Sequence, residues 1–152
     1  MNKLMFSNLE NIQVKSKLIG KSGCYFLSLI YGTVEYAESF LKRIINIDVI
    51  KFYDKCLGLK IIDSECTVLD AAKIVANILD FPESKVKARH EVLGYIPKFN
   101  EIEITRYELA ELGVTYAHFV VTRDNKVIYD PYANSRTYAK GEPKSKRIIT
   151  IL

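Results

Sequence analysis

The chain has few cysteines and no long apolar segment, and both absences limit what the protein can be. Its 152 residues include three cysteines, Cys24, Cys56 and Cys66, so a disulfide framework is excluded and at least one thiol stays free. No run approaches the roughly 18 apolar residues that a membrane-spanning helix needs. The first ten residues lack the apolar core of a secretory signal peptide. We therefore expect a cytoplasmic protein with reduced thiols and no membrane span.

The sequence also lacks the spacings that are typical of metal, nucleotide and nucleic-acid sites. No Cys-x-x-Cys or His-x-x-His pair is present, so Cys56, Cys66 and His90 do not predict a zinc site. Gly20-Lys-Ser-Gly23 lacks the spacing of a phosphate-binding loop. The net charge of +4 is small, and the ten tyrosines are scattered rather than grouped for stacking on bases. We expect no cofactor, no metal and no nucleic-acid partner.

Helical patterns precede strand patterns along the chain, which fits a single α+β domain over residues 1–152. Apolar residues recur at three- and four-residue steps from Cys24 to about Ile45, with a break expected near Gly32-Thr33 or Ile45-Asn46. A second helix is predicted over residues 48–57. A capping sequence that begins at Thr67 predicts the start of a third helix, which continues to residue 79 and has Leu69 on its buried face.

The second half of the chain contains short β-rich runs that are bounded by Gly, Pro, Asn or Asp. We predict a hairpin whose two strands meet at Asp124-Asn125. Positive charge clusters near the carboxyl terminus, and we predict that Lys140, Lys144, Lys146 and Arg147 form a solvated basic tail. The predicted strands are residues 86–95, 101–107, 115–122, 126–129 and 147–152.

A candidate nucleophile stands at the predicted start of the first helix. Cys24 follows the Gly20-Lys-Ser-Gly23 turn and opens the apolar helical pattern. A helix N-terminus carries roughly half a positive charge and stabilises a thiolate relative to a thiol. Taken alone, a lone cysteine is more often a small buried apolar residue, so the position needs a partner to predict chemistry.

That partner is the segment from His118 to Asp130. His118 lies within the predicted strand 115–122, and Asp130 ends the next strand just before Pro131. In the predicted hairpin Asp130 lies near His118, where a carboxylate can accept the imidazole N–H and fix its tautomer. An Asp-Pro step is also a common turn initiator, and the two roles are compatible.

The segments around Cys24, His118 and Asp130 resemble the papain-like cysteine peptidases, in particular the bacteriocin-leader-processing peptidases, and also a small uncharacterised bacterial and prophage family. Those proteins carry a cysteine at the start of a central helix, a later His-[Phe/Tyr]-Val-Val strand and an Asp-Pro step that ends the following strand. The resemblance implies a papain-like fold, with N-terminal helices packed on a C-terminal antiparallel sheet. It also implies a Cys24-His118-Asp130 triad.

The chain departs from the resembled family at one position. The family places a glutamine six residues before the cysteine, where its amide helps to hold the oxyanion, whereas this chain has Leu18 there. The nearest glutamine is Gln13, eleven residues before Cys24, which we take as the candidate oxyanion donor. Loss of such a donor typically costs about 10²–10³ in rate.

The sequence therefore predicts a thiol hydrolase that cleaves or transfers amide or isopeptide bonds. Cys24 is the expected nucleophile, His118 the general base and acid, and Asp130 the group that orients the imidazole. A peptide or protein, or a peptidoglycan peptide, is the expected substrate. The alternative is a papain-like domain that has lost catalysis and serves as an interaction module, for example a phage or plasmid factor that targets a host protein.

Overall fold

Three helices precede an antiparallel sheet, as the change from helical to strand periodicity predicts. The computed structural model describes Ile19, residues 23–132 and residues 136–152. The helices are α1 (Cys24–Ser39), α2 (Val49–Gly58), α3 (Ala71–Leu79) and the short α4 (Arg136–Lys140), and a 3-10 turn covers Glu83–Lys85. The strands are β1 (Val86–Val92), β2 (Glu101–Glu111), β3 (Val114–Arg123), β4 (Lys126–Tyr129) and β5 (Glu142–Ile151). The predicted α+β class is confirmed.

The five strands form one sheet in the order β1-β5-β2-β3-β4, and each neighbouring pair is antiparallel. Asp124 and Asn125 connect β3 to β4 with positive φ angles of 52° and 65°. A two-residue type I′ hairpin turn requires this backbone conformation at both positions, and Asp and Asn tolerate it well. The predicted hairpin is confirmed, and it returns the end of β4 to the side of β3.

Helix α1 packs on the sheet and runs without a break through Gly32-Thr33, one of the two expected break points, and it ends at Ser39, before the other at Ile45-Asn46. A Cβ at Gly32 would lie 2.8 Å from Ile102 Cγ2 and 3.7 Å from Val121 Cγ1. The glycine therefore serves a close approach of the helix to β2 and β3. The shared core between α1, α3 and the sheet includes Phe26, Leu29, Ile30, Ile74, Leu79, Ile104 and Ile149, all fully buried.

The predicted start of the third helix is wrong by about one turn. Asp70 is the N-cap of α3, and its side chain accepts a hydrogen bond from the Lys73 backbone N–H at 3.0 Å. Thr67 pairs instead with Asp63, whose carboxylate accepts the Thr67 backbone N–H at 2.9 Å. Leu69 precedes the helix and is 59% exposed, so it does not belong to the buried face.

The predicted basic tail is also wrong, because β5 is an inner strand that begins at Glu142 rather than near residue 147. Lys140 and Lys144 are exposed, but Lys146 is 1% exposed. Its Nζ lies 2.5 Å from Oε1 of the buried Glu103 and donates to the Tyr95 carbonyl at 2.8 Å. A carboxylate on the neighbouring strand thus compensates for burial of the ammonium group.

Candidate active site

The start of α1 presents Cys24 together with backbone N–H groups that have no acceptor within the helix. Gly23 is the N-cap residue, and its carbonyl accepts the Leu27 N–H at 2.8 Å. No side chain caps this end within the part of the chain that the structure describes. The N–H groups of the first turn have no acceptor within the helix and make this end electropositive. A Cβ at Gly23 would lie 2.2 Å from the Ile19 carbonyl oxygen, so the chain path into Cys24 requires glycine.

His118 and Asp130 are joined as the hairpin predicts. His118 Nε2 lies 2.6 Å from Asp130 Oδ1. His118 is buried, with only 5% of its surface exposed. The same carboxylate oxygen accepts the Tyr132 backbone N–H at 2.9 Å. Asp130 therefore serves both as the imidazole partner and as the acceptor of the turn that follows it.

The structure also brings His118 to Cys24. Burial lowers the pKa of His118, but hydrogen bonds from the imidazole to Asp130 and Cys24, and the charges of these two groups, outweigh it and raise the pKa to about 9. Because Nε2 is taken by Asp130, Nδ1 is the ring nitrogen left for the thiol. The three residues thus form a chain of contacts in which the imidazole is the central member.

A second pair of contacts beside this chain holds α1 on β3. The rings of Tyr25 and Phe119 stack with centroids 4.5 Å apart, and Ser28 Oγ donates to the Phe119 carbonyl at 3.2 Å. Tyr25 follows Cys24 in sequence and Phe119 follows His118, so successive residues of the helix meet successive residues of the strand. Sequence reasoning missed these positioning contacts, because periodicity assigns each residue to an element but does not pair residues between elements.

The three thiols differ sharply in their surroundings. Cys24 is partly exposed, whereas Cys56 and Cys66 are fully buried. Burial raises the pKa of Cys56 to about 11 and that of Cys66 to about 12. Only Cys24 among the three thus has both access to reagents and an imidazole beside it.

Gln13, the candidate oxyanion donor, lies outside the described residues. In the described ranges, no three His, Cys, Asp or Glu side chains are grouped as a metal site, and no helix is long and apolar enough to cross a bilayer. His90 is exposed on β1, which is the edge strand at the opposite side of the sheet from β4.

Comparison with known proteins yields a family. No curated protein and no solved structure matches the chain. A family described as "Protein of unknown function, DUF261" matches it over residues 6–151, which include Cys24, His118 and Asp130. The chain therefore belongs to the DUF261 family.

Proposed function

We propose that the protein is a thiol hydrolase of papain-like fold that acts on amide or isopeptide bonds. The proposal rests on the two contacts of the His118 imidazole. Its Nε2 forms a 2.6 Å hydrogen bond with Asp130, and the ring also contacts the Cys24 thiol. The placement of Cys24 at a helix N-terminus against an antiparallel sheet supports the same fold and chemistry.

The charge state of the site supports nucleophilic catalysis. With a pKa of about 9, His118 is protonated at neutral pH and can stabilise a thiolate on Cys24. Asp130 compensates for burial of the imidazolium and holds the ring in one orientation. A thiolate and imidazolium pair is the reactive form of a thiol nucleophile, since the thiolate attacks and the imidazolium supplies the next proton.

Each step of the proposed reaction uses a group described above. The Cys24 thiolate attacks the carbonyl carbon, and the carbonyl electron pair moves to oxygen beside the Cys24 backbone N–H. The C–N bond then breaks as His118 gives its proton to the leaving amine, which leaves a thioester on Cys24. His118 next takes a proton from water, the resulting hydroxide attacks the thioester, and the acid product departs with the thiolate restored.

Gln13 is the proposed second donor to the oxyanion, in place of the glutamine that position 18 lacks. The substrate class is a peptide or protein chain, with peptidoglycan peptides included. Leu18 favours the competing proposal, an interaction module without catalysis, because the missing oxyanion donor would cost about 10²–10³ in rate. The two proposals differ in whether Cys24 forms a covalent intermediate.

A peptide-cleavage experiment tests the proposal. The protein is incubated with a diverse peptide mixture, and new termini are counted by mass spectrometry for the wild type and single variants. We expect Cys24→Ala and His118→Ala to reduce cleavage by about 10³-fold or more, whereas Lys144→Gln, a control at an exposed side chain, retains it. Cleavage that survives in Cys24→Ala would rule out the thiol mechanism. Absence of cleavage in every protein, with no thioester-type adduct on Cys24, would favour the interaction module.

A further inference from the structure

A row of cationic side chains crosses the sheet on the face that carries α1. His90 on β1 pairs in register with Arg147 on β5, and Arg106 on β2 pairs with Phe119 on β3. Arg147 also pairs with Ile104, which lies two residues before Arg106 and on the same face of β2. We call His90, Arg147 and Arg106 the cationic row.

The cationic row lies beside two aromatic residues that are chain neighbours of the candidate triad. The guanidinium Cζ of Arg147 lies 5.6 Å from the centroid of the Phe119 ring, and that ring stacks on Tyr25 at 4.5 Å. Tyr25 is the chain neighbour of Cys24, and Phe119 is the neighbour of His118. The stacked pair of Tyr25 and Phe119 therefore lies next to the guanidinium, and each of its members adjoins a triad residue in the chain.

Among the residues that the structure describes, Arg147 has no carboxylate as an ion-pair partner. Arg106 forms an ion pair with Glu108, but within the described ranges no carboxylate pairs with Arg147, which donates only to Ser145 Oγ at 2.9 Å and to the Lys146 carbonyl at 3.5 Å. Burial lowers the pKa of Arg147. The charge of Tyr25 raises this pKa, and the charge of Arg106 lowers it further.

The positive charges of the cationic row also act on His90, at its other end. Burial lowers the pKa of His90, and the charges of Arg147 and Arg106 lower it further. The first-turn N–H groups of α1 add positive potential on the same side of the sheet. A bound anion would relieve this accumulation of positive charge.

We propose that Arg147, with Arg106 and His90 beside it, binds a carboxylate of the substrate and so selects acidic peptides for the thiol site. The preferred chain carries Asp, Glu or a free terminal carboxylate within about two residues of the cleaved bond. The planar guanidinium suits a carboxylate because it donates two parallel hydrogen bonds. This specificity rests on the proposed function, since it assigns the bound chain to the Cys24 nucleophile.

Matched thiol reagents test the proposal without a known substrate. 4-Maleimidobutyrate and its primary amide differ only in a carboxylate at the end of a short chain, and mass spectrometry reports the rate of each at Cys24. We expect Arg147→Gln to reduce the ratio of the acid rate to the amide rate by roughly ten-fold, the size of one charged hydrogen bond. Arg147→Lys should keep part of the preference. Lys144→Gln, which removes an exposed charge on the same strand, should leave the ratio unchanged.

A ligand titration on a protein that keeps Arg147 covers the case in which an Arg147 variant does not fold. In the Cys24→Ser protein, the side-chain carboxylate of N-acetylglutamate α-methylamide should shift the NMR signals of His90, whereas N-acetylglutamine α-methylamide, which carries no charge, should not. Equal responses to the two ligands, or an unchanged reagent ratio in a folded Arg147→Gln protein, would overturn the carboxylate site. Fast, His118-dependent labelling by the amide reagent would leave the proposed function standing in that event, whereas slow labelling independent of His118 would contradict the function itself.

Discussion

Asp130 Oδ1 lies 2.6 Å from His118 Nε2 and also accepts the Tyr132 backbone N–H at 2.9 Å. The carboxylate that orients the imidazole is thus itself fixed by the turn that follows β4. Because the type I′ turn at Asp124-Asn125 sets the register of β4 on β3, the hairpin alone brings these two side chains together. The third member, Cys24, reaches them only through the packing of α1.

The first prediction concerns the titration of the two histidines. His118 should titrate near pH 9, because its bonds to Asp130 and Cys24 outweigh burial, whereas His90 should titrate below 6.5. NMR resolves both, since the chain contains only these two. We expect Asp130→Asn to lower the pKa of His118, and Asp124→Asn, a control in the exposed turn, to leave it near 9. An ordinary pKa for His118 in the wild type would contradict the described contacts.

The same histidine should make stability depend on pH. The folded-state pKa of His118 is about 9, above its ordinary value of 6.5, so its stabilising contribution is complete below about pH 6.5. The contribution is lost as pH rises toward 9, and it amounts to at most about 3 kcal/mol. Urea unfolding followed by circular dichroism should therefore show a wild-type advantage over His118→Gln that shrinks from pH 6.5 to 9. A difference that grows over this range would contradict the account.

Two glycines provide a matched test of the chain path into Cys24. In Gly23→Ala the new Cβ would meet the Ile19 carbonyl oxygen at 2.2 Å, whereas at Gly58 nothing lies within 4 Å. We expect Gly23→Ala to lower the free energy of unfolding by about 1–3 kcal/mol and to slow alkylation of Cys24. Gly58→Ala should leave the alkylation rate unchanged and stability equal or higher by up to about 1 kcal/mol. Equal behaviour of the two variants would mean that the approach to Cys24 is not tightly packed.

The buried pair of Lys146 and Glu103 yields a test of the inner strand. Lys146 Nζ is 2.5 Å from Glu103 Oε1, and Thr122 Oγ1 donates to Glu103 Oε2 at 2.6 Å. Lys146→Met leaves a buried carboxylate without its counter-charge and should cost about 3–5 kcal/mol in urea unfolding. The double variant with Glu103→Met should recover most of that loss. Additive losses in the two single variants and the double variant would show that the pair does not act as a unit.

Local sequence signals predicted the elements and the hairpin of this fold well. Periodicity located α1 and α2, and the Asp124-Asn125 turn located the strand pair that joins His118 to Asp130. Local signals failed where tertiary partners decide the outcome. Thr67 has the chemistry of a cap, but Asp63 takes its N–H and Asp70 caps α3 instead.

The charged segment from residue 144 to residue 147 is a second case in which local sequence signals failed. Lys144, Lys146 and Arg147 look like a solvated tail, and only the partner Glu103 on β2 makes Lys146 compatible with an inner strand. The candidate triad was predictable as three residue types in order, because each motif carries its own local pattern. The contacts of Tyr25 and Ser28 with Phe119, and the position of Arg147 beside them, depend on how α1 packs and have no local signal.

The rate of Cys24 alkylation by iodoacetamide as a function of pH tests the central claim most directly. Cys56 and Cys66 serve as internal controls, because both are buried and burial raises the pKa of each, to about 11 and about 12. We predict that Cys24 already reacts rapidly at pH 6.5, that His118→Ala removes this reactivity and that His90→Ala does not. The account is contradicted if the Cys24 rate rises about ten-fold per pH unit up to roughly pH 8.5, as for a free thiol, and is the same in His118→Ala.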